Sequence, residues 1–213
     1  MFDYKNISIH RLGHDGFLIK FKEKLICIDP YQIKEHFNAD YIFLTHFHKD
    51  HLSMDDIQKI LKPDTIIVAP FACEEELQGV SQKKIFLKQE DRITLDNFTV
   101  NTLPAYNIDK FRSPGLLYHP KELGFVGFLF TFEETTLYHA GDTDIIPEMK
   151  GLNPDIALLP VSGVYAMTAQ EAVKSIALIQ PKIAIPMHYD TLVGSFADAQ
   201  YFKDYASCEV VIL

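Results

Sequence analysis

The segment T-H-F-H-K-D-H at residues 45–51 places four metal-ligand side chains, His46, His48, Asp50 and His51, within a few positions of one another. In an extended segment His46 and His48 project to the same side, so both imidazoles can bind one ion. A turn after His48 would bring Asp50 and His51 onto a neighbouring ion. With nine histidines in 213 residues, an accidental H-x-H-x-D-H is expected in about one such chain in a thousand. The segment therefore predicts a metal centre.

The flanking sequence places this segment between a buried strand and a helix. Residues 41–44 form a continuous apolar run, which is typical of a strand covered on both faces. Ser53 is expected to cap the helix that follows, and Pro63 to end it. Binding and catalytic residues are common in loops that a rigid scaffold positions in this way.

Two later strands end in candidate ligands in the same manner. Asp142 follows the strand predicted at residues 135–138, and His188 follows the one predicted at residues 183–185. Asp142 could bridge two ions about 3.5 to 4 Å apart through its two oxygens. Taken alone, an Asp after Gly141 is more often a turn residue, and His188 is more often structural. Their shared place at strand ends favours convergence at one sheet edge.

The rest of the chain alternates strand and helix signals without repeats or linker-like segments. The main predicted elements are a short acidic helix over 71–77, a long loop over 104–120, a hairpin over 125–138, a helix capped by Thr168 and Glu171 and ended by Pro181, and a last strand over 210–213. A further helix is predicted from the helical spacing of Phe196, Ala199, Phe202 and Ala206. About a dozen strands in runs with interspersed helices predict two sheets packed face to face with helices outside. We expect one domain over residues 1–213.

Composition argues against several classes of partner. The formal net charge is −9 and the pI is about 5.4, so the surface should repel nucleic acid and anionic membranes. No export signal and no apolar stretch near the ~20 residues that span a bilayer is evident. We therefore expect a cytoplasmic protein that acts on a small molecule, with homo-oligomer formation left open. Its three widely spaced cysteines fit reduced thiols.

Three motifs together carry a resemblance to a known family. T-H-F-H-K-D-H at 45–51, H-A-G-D-T-D at 139–144 and P-M-H-Y at 186–189 resemble the metallo-β-lactamase fold superfamily, and in particular its compact branch of ascorbate-6-phosphate lactonase-like hydrolases. The resemblance implies an α/β (α+β) fold, a four-layer αβ/βα sandwich of two mixed β-sheets with outer helices. It also implies a two-metal site at one edge of the sheets.

Carried over by position, the family pattern assigns most of the ligands. His46 and His48 would hold the first ion, with Asp142 as the bridge; the second ion would be held by Asp50, His51 and His188. Members usually supply a third histidine to the first ion from a strand end where this chain has Pro-Ala-Tyr-Asn at 104–107. Asn107 is a poor substitute. His119 is the candidate for that place, with a structural or substrate-binding role as the alternative.

The resemblance implies a hydrolase that uses a metal-bound hydroxide to cleave a small ester, lactone, amide or phosphoester. Asp50 and Asp142 are the predicted catalytic carboxylates. We expect one or two divalent ions per chain, with zinc favoured and manganese or iron as alternatives. A di-iron redox protein of the same fold, an RNA- or DNA-processing nuclease and a non-catalytic metal-stabilised binding protein are the competing hypotheses.

Overall fold

The computed structural model describes all residues, Met1–Leu213. The chain divides into two compact units, Met1–Lys88 and Gln89–Leu213. Each unit contains one seven-stranded mixed sheet. None of the helices combines the length and the apolar composition that a membrane-spanning helix needs.

The sheet of the first unit follows the order of the chain. Its strands are β1 Phe2–Tyr4, β2 Ile7–Gly13, β3 Gly16–Phe21, β4 Lys24–Ile28, β5 Tyr41–Phe43, β6 Ile66–Pro70 and β7 Lys83–Leu87. Strands β1 to β4 pair antiparallel as a meander, and β4 to β7 pair in parallel. The carboxyl ends of β4 and β5 therefore meet at the same edge of the sheet.

The helix expected after residues 45–51 is present as α1, Met54–Ile60. Ser53 caps it and accepts a hydrogen bond from the Asp56 backbone N–H at 3.3 Å. Ile57 and Ile60 are fully buried in the apolar cluster that also contains Ile42 of β5. Burial of each such side chain stabilises the fold by about 1.5 to 3 kcal/mol, so packing rather than length holds this short helix.

The helix predicted over 71–77 is wrong in length and type. Only Phe71–Cys73 is helical, as a 3₁₀ turn, and further turns follow. The N–H groups of Gln78 and Val80 bond to carbonyls three residues back. Three adjacent glutamates, at positions 74–76, add like-charge repulsion that a regular helix would have to accommodate.

The sheet of the second unit has the order β16-β15-β14-β13-β12-β9-β8, with β10 and β11 as a separate hairpin. Its strands are β8 Arg92–Leu95, β9 Phe98–Pro104, β10 Phe111–Ser113, β11 Leu116–Leu117, β12 Val126–Phe132, β13 Thr135–His139, β14 Ile156–Pro160, β15 Ile183–Met187 and β16 Glu209–Val210. Strands β13 to β16 pair in parallel. Buried phenylalanines of β9 and β12, such as Phe98 and Phe132, fill its core.

Two predicted helices of the second unit are confirmed as α2, Ala169–Ile179, and α3, Phe196–Tyr205. Thr168 and Glu171 form the expected capping box of α2, with hydrogen bonds of 3.1 and 2.7 Å. The hairpin prediction is also confirmed, because β12 and β13 pair with Phe132 opposite Thr135.

Other expectations for the second unit need correction. The loop predicted over 104–120 contains β10 and β11, which turn at Gly115 with φ of 77°. The last strand is only Glu209–Val210 rather than 210–213. The structure has sixteen strands rather than about twelve, because strands of two or three residues leave no alternating pattern in the sequence.

Candidate metal centre

The first unit delivers its candidate ligands from the loop that follows β5. Rings of His46 and His48 lie 4.7 Å apart between centroids, and those of His46 and His51 lie 4.0 Å apart. The expected turn after His48 is present, since the His51 N–H donates to the His48 carbonyl at 2.9 Å. His46 and His51 are buried, whereas Asp50 is partly exposed. The local sequence therefore folds into a compact group of three imidazoles and a carboxylate.

Asp29, at the end of β4, orients two of these imidazoles. Its Oδ2 accepts from His51 Nδ1 at 2.9 Å and from the Thr45 hydroxyl at 2.6 Å. Because that hydroxyl donates to Asp29, Thr45 Oγ1 accepts from His46 Nδ1 at 3.0 Å. Asp29 Oδ1 also accepts from the Thr45 backbone N–H at 2.8 Å. One buried carboxylate thus fixes the orientation of both His46 and His51.

The turn between β2 and β3 brings two further side chains to the group. His14 Nε2 lies 3.2 Å from Asp50 Oδ2, and Asp15 Oδ2 lies 3.9 Å from His51 Nδ1. Single ligand atoms of His14, Asp50 and His51 all lie within 4.8 Å of one another. The sequence signal was a histidine and an aspartate in a tight turn, which by itself is typical of many loops.

The second unit brings its three predicted ligands together, with the Asp142 carboxylate close to both histidines. Asp142 follows β13, and its Oδ2 lies 3.2 Å from His188 Nε2 and 3.5 Å from His119 Nε2. His188 follows β15, and His119 lies in the loop after β11. All three side chains are buried. A carboxylate between two imidazole Nε2 atoms is well placed to share a cation with both.

Each histidine of this second group has its own supporting partner. His188 Nδ1 donates to Ser162 Oγ at 2.7 Å, and the Ser162 hydroxyl donates onward to the Val164 carbonyl at 3.1 Å. Ser162 follows β14, the parallel neighbour of β15. The position of Ser162 is therefore a consequence of strand pairing and was not predicted from the sequence.

Asn107 supports His119, whose side chain lies beside Asp142. Asn107 Oδ1 accepts from the His119 backbone N–H at 2.9 Å and from His119 Nδ1 at 3.0 Å. Its Nδ2 donates to the Tyr165 carbonyl at 2.7 Å. The residue at the place of the usual third histidine therefore orients the histidine that the long loop supplies.

Ion pairs and backbone hydrogen bonds anchor the start of that loop. Asp144 accepts from the N–H groups of Ile108 at 2.6 Å and Asp109 at 3.1 Å. Lys110 Nζ lies 3.0 Å from Glu171 and 3.4 Å from Asp144. Partial burial opposes the charged form of Lys110, but hydrogen bonds to Asp109 and Glu171 outweigh it and raise the pKa of the ammonium. Burial raises the pKa of Asp144 despite its backbone hydrogen bonds.

The four best-supported histidines share one pattern that fits a divalent metal. In each of them Nδ1 donates to a protein acceptor, so Nε2 carries the lone pair that a metal requires. They are His46, His51, His119 and His188. Histidine and carboxylate ligands without thiolate suit zinc, iron or manganese. The chemistry of the donor atoms therefore fits the ions implied by the sequence.

Comparisons with known proteins agree with this chemistry. The model of the Beta-lactamase superfamily domain matches residues 8–188. The chain belongs to this superfamily. It is also 33% identical over 201 residues to a UPF0173 metal-dependent hydrolase of Nanoarchaeum equitans, covering 92% of this chain and 90% of that protein. The chain is thus a member of a family of metal-dependent hydrolases.

Solved structures confirm the fold class of this superfamily member. A crystal structure from Parabacteroides distasonis aligns with a TM-score of 0.85 and 32% identity, covering 97% of this chain and 92% of that one. The metallo-β-lactamase fold protein YhfI from Bacillus subtilis aligns with a TM-score of 0.72 at 16% identity, covering 97% and 95%. The predicted α/β fold class with two mixed sheets is confirmed.

Proposed function

We propose that the two groups of side chains bind one or two divalent ions together and that the protein hydrolyses a small ester, lactone, amide or phosphoester. The proposed ligands are His46, His48, Asp50, His51, His119, Asp142 and His188. The ordered Nδ1 partner of four of these histidines is the observation that carries the proposal, because it presents Nε2 as a metal ligand. Membership of a metal-dependent hydrolase family supports the same conclusion.

Bound metal would supply a water with its pKa lowered toward neutrality and a Lewis acid for the substrate oxygen. The protein residues hold and move protons around that chemistry. Asp50 is proposed to take the proton from the attacking water, and His14 Nε2, 3.2 Å from Asp50 Oδ2, would hold the carboxyl group in position. Asp142 would hold metal together with His119 and His188, because its Oδ2 lies 3.5 and 3.2 Å from their Nε2 atoms, and it would be the ligand shared by both sites if two ions bind.

Zinc is the proposed ion, with manganese and iron as alternatives, because the ligands are imidazoles and carboxylates. The cytoplasmic location, the lack of nucleic-acid or membrane partners, the oligomeric state and the single domain stay predictions.

Metal content measured by elemental mass spectrometry tests the proposal. We expect about two equivalents of metal in the wild-type protein and fewer in His48→Ala. His10→Ala is the matched control, because His10 lies on β2, is partly exposed and pairs with Glu35 at 3.4 Å. Metal-loaded protein is then screened for lactone and phosphodiester hydrolysis. Failure to bind metal under any condition contradicts the proposal, and bound iron without hydrolysis favours the di-iron redox alternative.

A further inference from the structure

Two aromatic side chains flank the histidines of the second unit. The Tyr165 ring lies edge-on to the His188 ring, with centroids 6.3 Å apart. The Tyr118 ring packs against Tyr165 with centroids 4.6 Å apart, and Tyr118 immediately precedes His119. Both tyrosines are half-buried rather than part of the core. An amphipathic aromatic pair thus borders the candidate ligands His119 and His188.

The backbone of Tyr165 is held in an unfavourable conformation. Its φ is 71°, a region that bulky residues rarely adopt. In this conformation its carbonyl accepts from Asn107 Nδ2 at 2.7 Å and from His119 Nδ1 at 3.2 Å. The hydrogen bonds of Asn107 and His119 therefore hold the Tyr165 backbone from which the ring projects.

The lysines of the adjoining loop are neutralised by carboxylates. Lys110 pairs with Asp109 and Glu171, and Lys121 Nζ lies 2.6 Å from Glu148. Neither ammonium is available to bind a phosphate without breaking an existing ion pair. Apart from the exposed Arg112 of β10, the cationic side chains of this loop are therefore better suited to border a neutral substrate than an anionic one.

We propose that Tyr118 and Tyr165 form the wall of a substrate subsite for an aromatic or other planar apolar group, and that the substrate is a neutral carbonyl compound rather than a phosphoester. The inference rests on the proposed hydrolase function and narrows its substrate class. Tyr118 and Tyr165 are specificity-determining residues in this account. Hydrolysis breaks the acyl C–O or C–N bond, with water supplying the hydroxyl to the acyl group and a proton to the leaving group.

Kinetics on two six-membered lactones test the subsite. Dihydrocoumarin carries a fused benzene ring, and δ-valerolactone does not. The two lactones differ in intrinsic reactivity, so the quantity measured is kcat/KM for dihydrocoumarin divided by kcat/KM for δ-valerolactone. The intrinsic difference cancels when this ratio is compared between the wild type and a variant. We expect the ratio to fall about threefold to tenfold in Tyr118→Leu and Tyr165→Leu, through a higher KM for dihydrocoumarin.

Three controls separate this role from a structural one. Tyr165→Phe keeps the ring and should keep the ratio. Tyr201→Leu removes a tyrosine of α3 that pairs with Tyr205, and it should leave the ratio unchanged. Metal content should stay at the wild-type value in Tyr118→Leu and Tyr165→Leu.

Several results would overturn the subsite. They are an unchanged lactone ratio in both leucine variants, an equal loss on both lactones, or a higher kcat/KM for bis(4-nitrophenyl) phosphate than for either lactone. Failure of the hydrolase proposal is distinguishable, because chroman, a neutral ether of the same shape as dihydrocoumarin, reports binding without turnover. Chroman binding that weakens about threefold to tenfold in the leucine variants supports the aromatic wall even if no lactone is cleaved. Absence of chroman binding to the wild type overturns it.

Discussion

The two units assemble their candidate ligands in different ways. The first unit takes His46, His48, Asp50 and His51 from a single segment and orients two of the rings through one carboxylate, Asp29. The second unit takes its ligands from three separate loops and gives each histidine its own partner. Loss of one supporting side chain should therefore lower metal affinity more in the first unit than in the second.

Asp29→Asn should have the largest effect. Removal of the charge weakens the support of both His46 and His51, and loss of such an outer partner lowers metal affinity about 10- to 100-fold. Competition with a chromophoric chelator measures the change.

The control for this variant is Asp56→Asn in the same unit. Asp56 is a buried carboxylate that accepts from the Gln32 and Ile33 backbone N–H groups at 2.8 and 3.0 Å. Its substitution should lower stability and leave metal affinity unchanged. An Asp29→Asn variant that binds metal as tightly as Asp56→Asn would contradict the role of Asp29.

Ser162→Ala should have a smaller effect on metal affinity. Ser162 orients only His188, so we expect a loss near the lower end of the same range, about tenfold. The same chelator competition measures it. A loss as large as that of Asp29→Asn would remove the proposed difference between the units.

The sequence predicted one ligand group better than the other for a physical reason. The spacing of His46, His48 and His51 is local, so an extended segment and a turn determine their arrangement. Asp29 and Ser162 act through the pairing of β4 with β5 and of β14 with β15, and no local pattern encodes that pairing. The sequence therefore did not indicate either residue as a partner of a ligand.

His119 is intermediate between the ligands that a local pattern predicts and the partners that the sequence did not indicate. Asn107 departs from the family pattern, His119 is the nearest histidine to it in the sequence, and the structure places His119 beside Asp142. The support that Asn107 gives it depends on two hydrogen bonds that His119 donates to Asn107 Oδ1, twelve positions away in the chain. Residue type and spacing alone could not predict those bonds.

The fold shows the same division between local and non-local signals. The caps of α1 and α2 and the hairpin of β12 and β13 were predictable because each depends on neighbouring residues. The short edge strands β1 and β16 form only because a longer strand is available to pair with them.

Helix capping should distinguish the units in stability but not in metal binding. Thr168→Ala removes one side of a two-bond capping box and should cost about 1 kcal/mol of the free energy of unfolding. Ser53→Ala removes a longer backbone cap bond of 3.3 Å and a hydroxyl bond of 2.6 Å to Asp56 Oδ2. Asp56 keeps its bonds to Gln32 and Lys59, so Ser53→Ala should cost less than Thr168→Ala. Urea denaturation measures both, and a larger loss for Ser53→Ala would contradict the comparison.

The difference in acid sensitivity between the two units should be the smallest of these effects. Partial burial opposes the charged form of Glu171, but hydrogen bonds from the Thr168 backbone and Lys110 outweigh it and lower its pKa from the usual 4.5. A lowered pKa in the folded state stabilises the protein above the usual value, and this stability is lost as pH falls below about 4.5.

Glu171→Gln should therefore flatten the fall in melting temperature between about pH 5 and 3.5. Asp56 of the first unit also has a lowered pKa, because hydrogen bonds from Lys59 and Ser53 outweigh its burial, but its usual value is 3.8. The loss of stability due to protonation of Asp56 should therefore begin at a lower pH than the loss due to Glu171. Identical acid profiles for the wild type and Glu171→Gln would contradict the predicted contribution.

The central proposal, in its two-ion form, is that both groups of ligands hold the same pair of ions. Electron paramagnetic resonance of protein loaded with two equivalents of Mn²⁺ tests it most directly, because two ions joined by the Asp142 carboxylate are exchange-coupled. We predict a coupled multiline spectrum in the wild type that is lost in Asp142→Ala. A spectrum of isolated ions at full loading, or saturation at one equivalent, would contradict the claim.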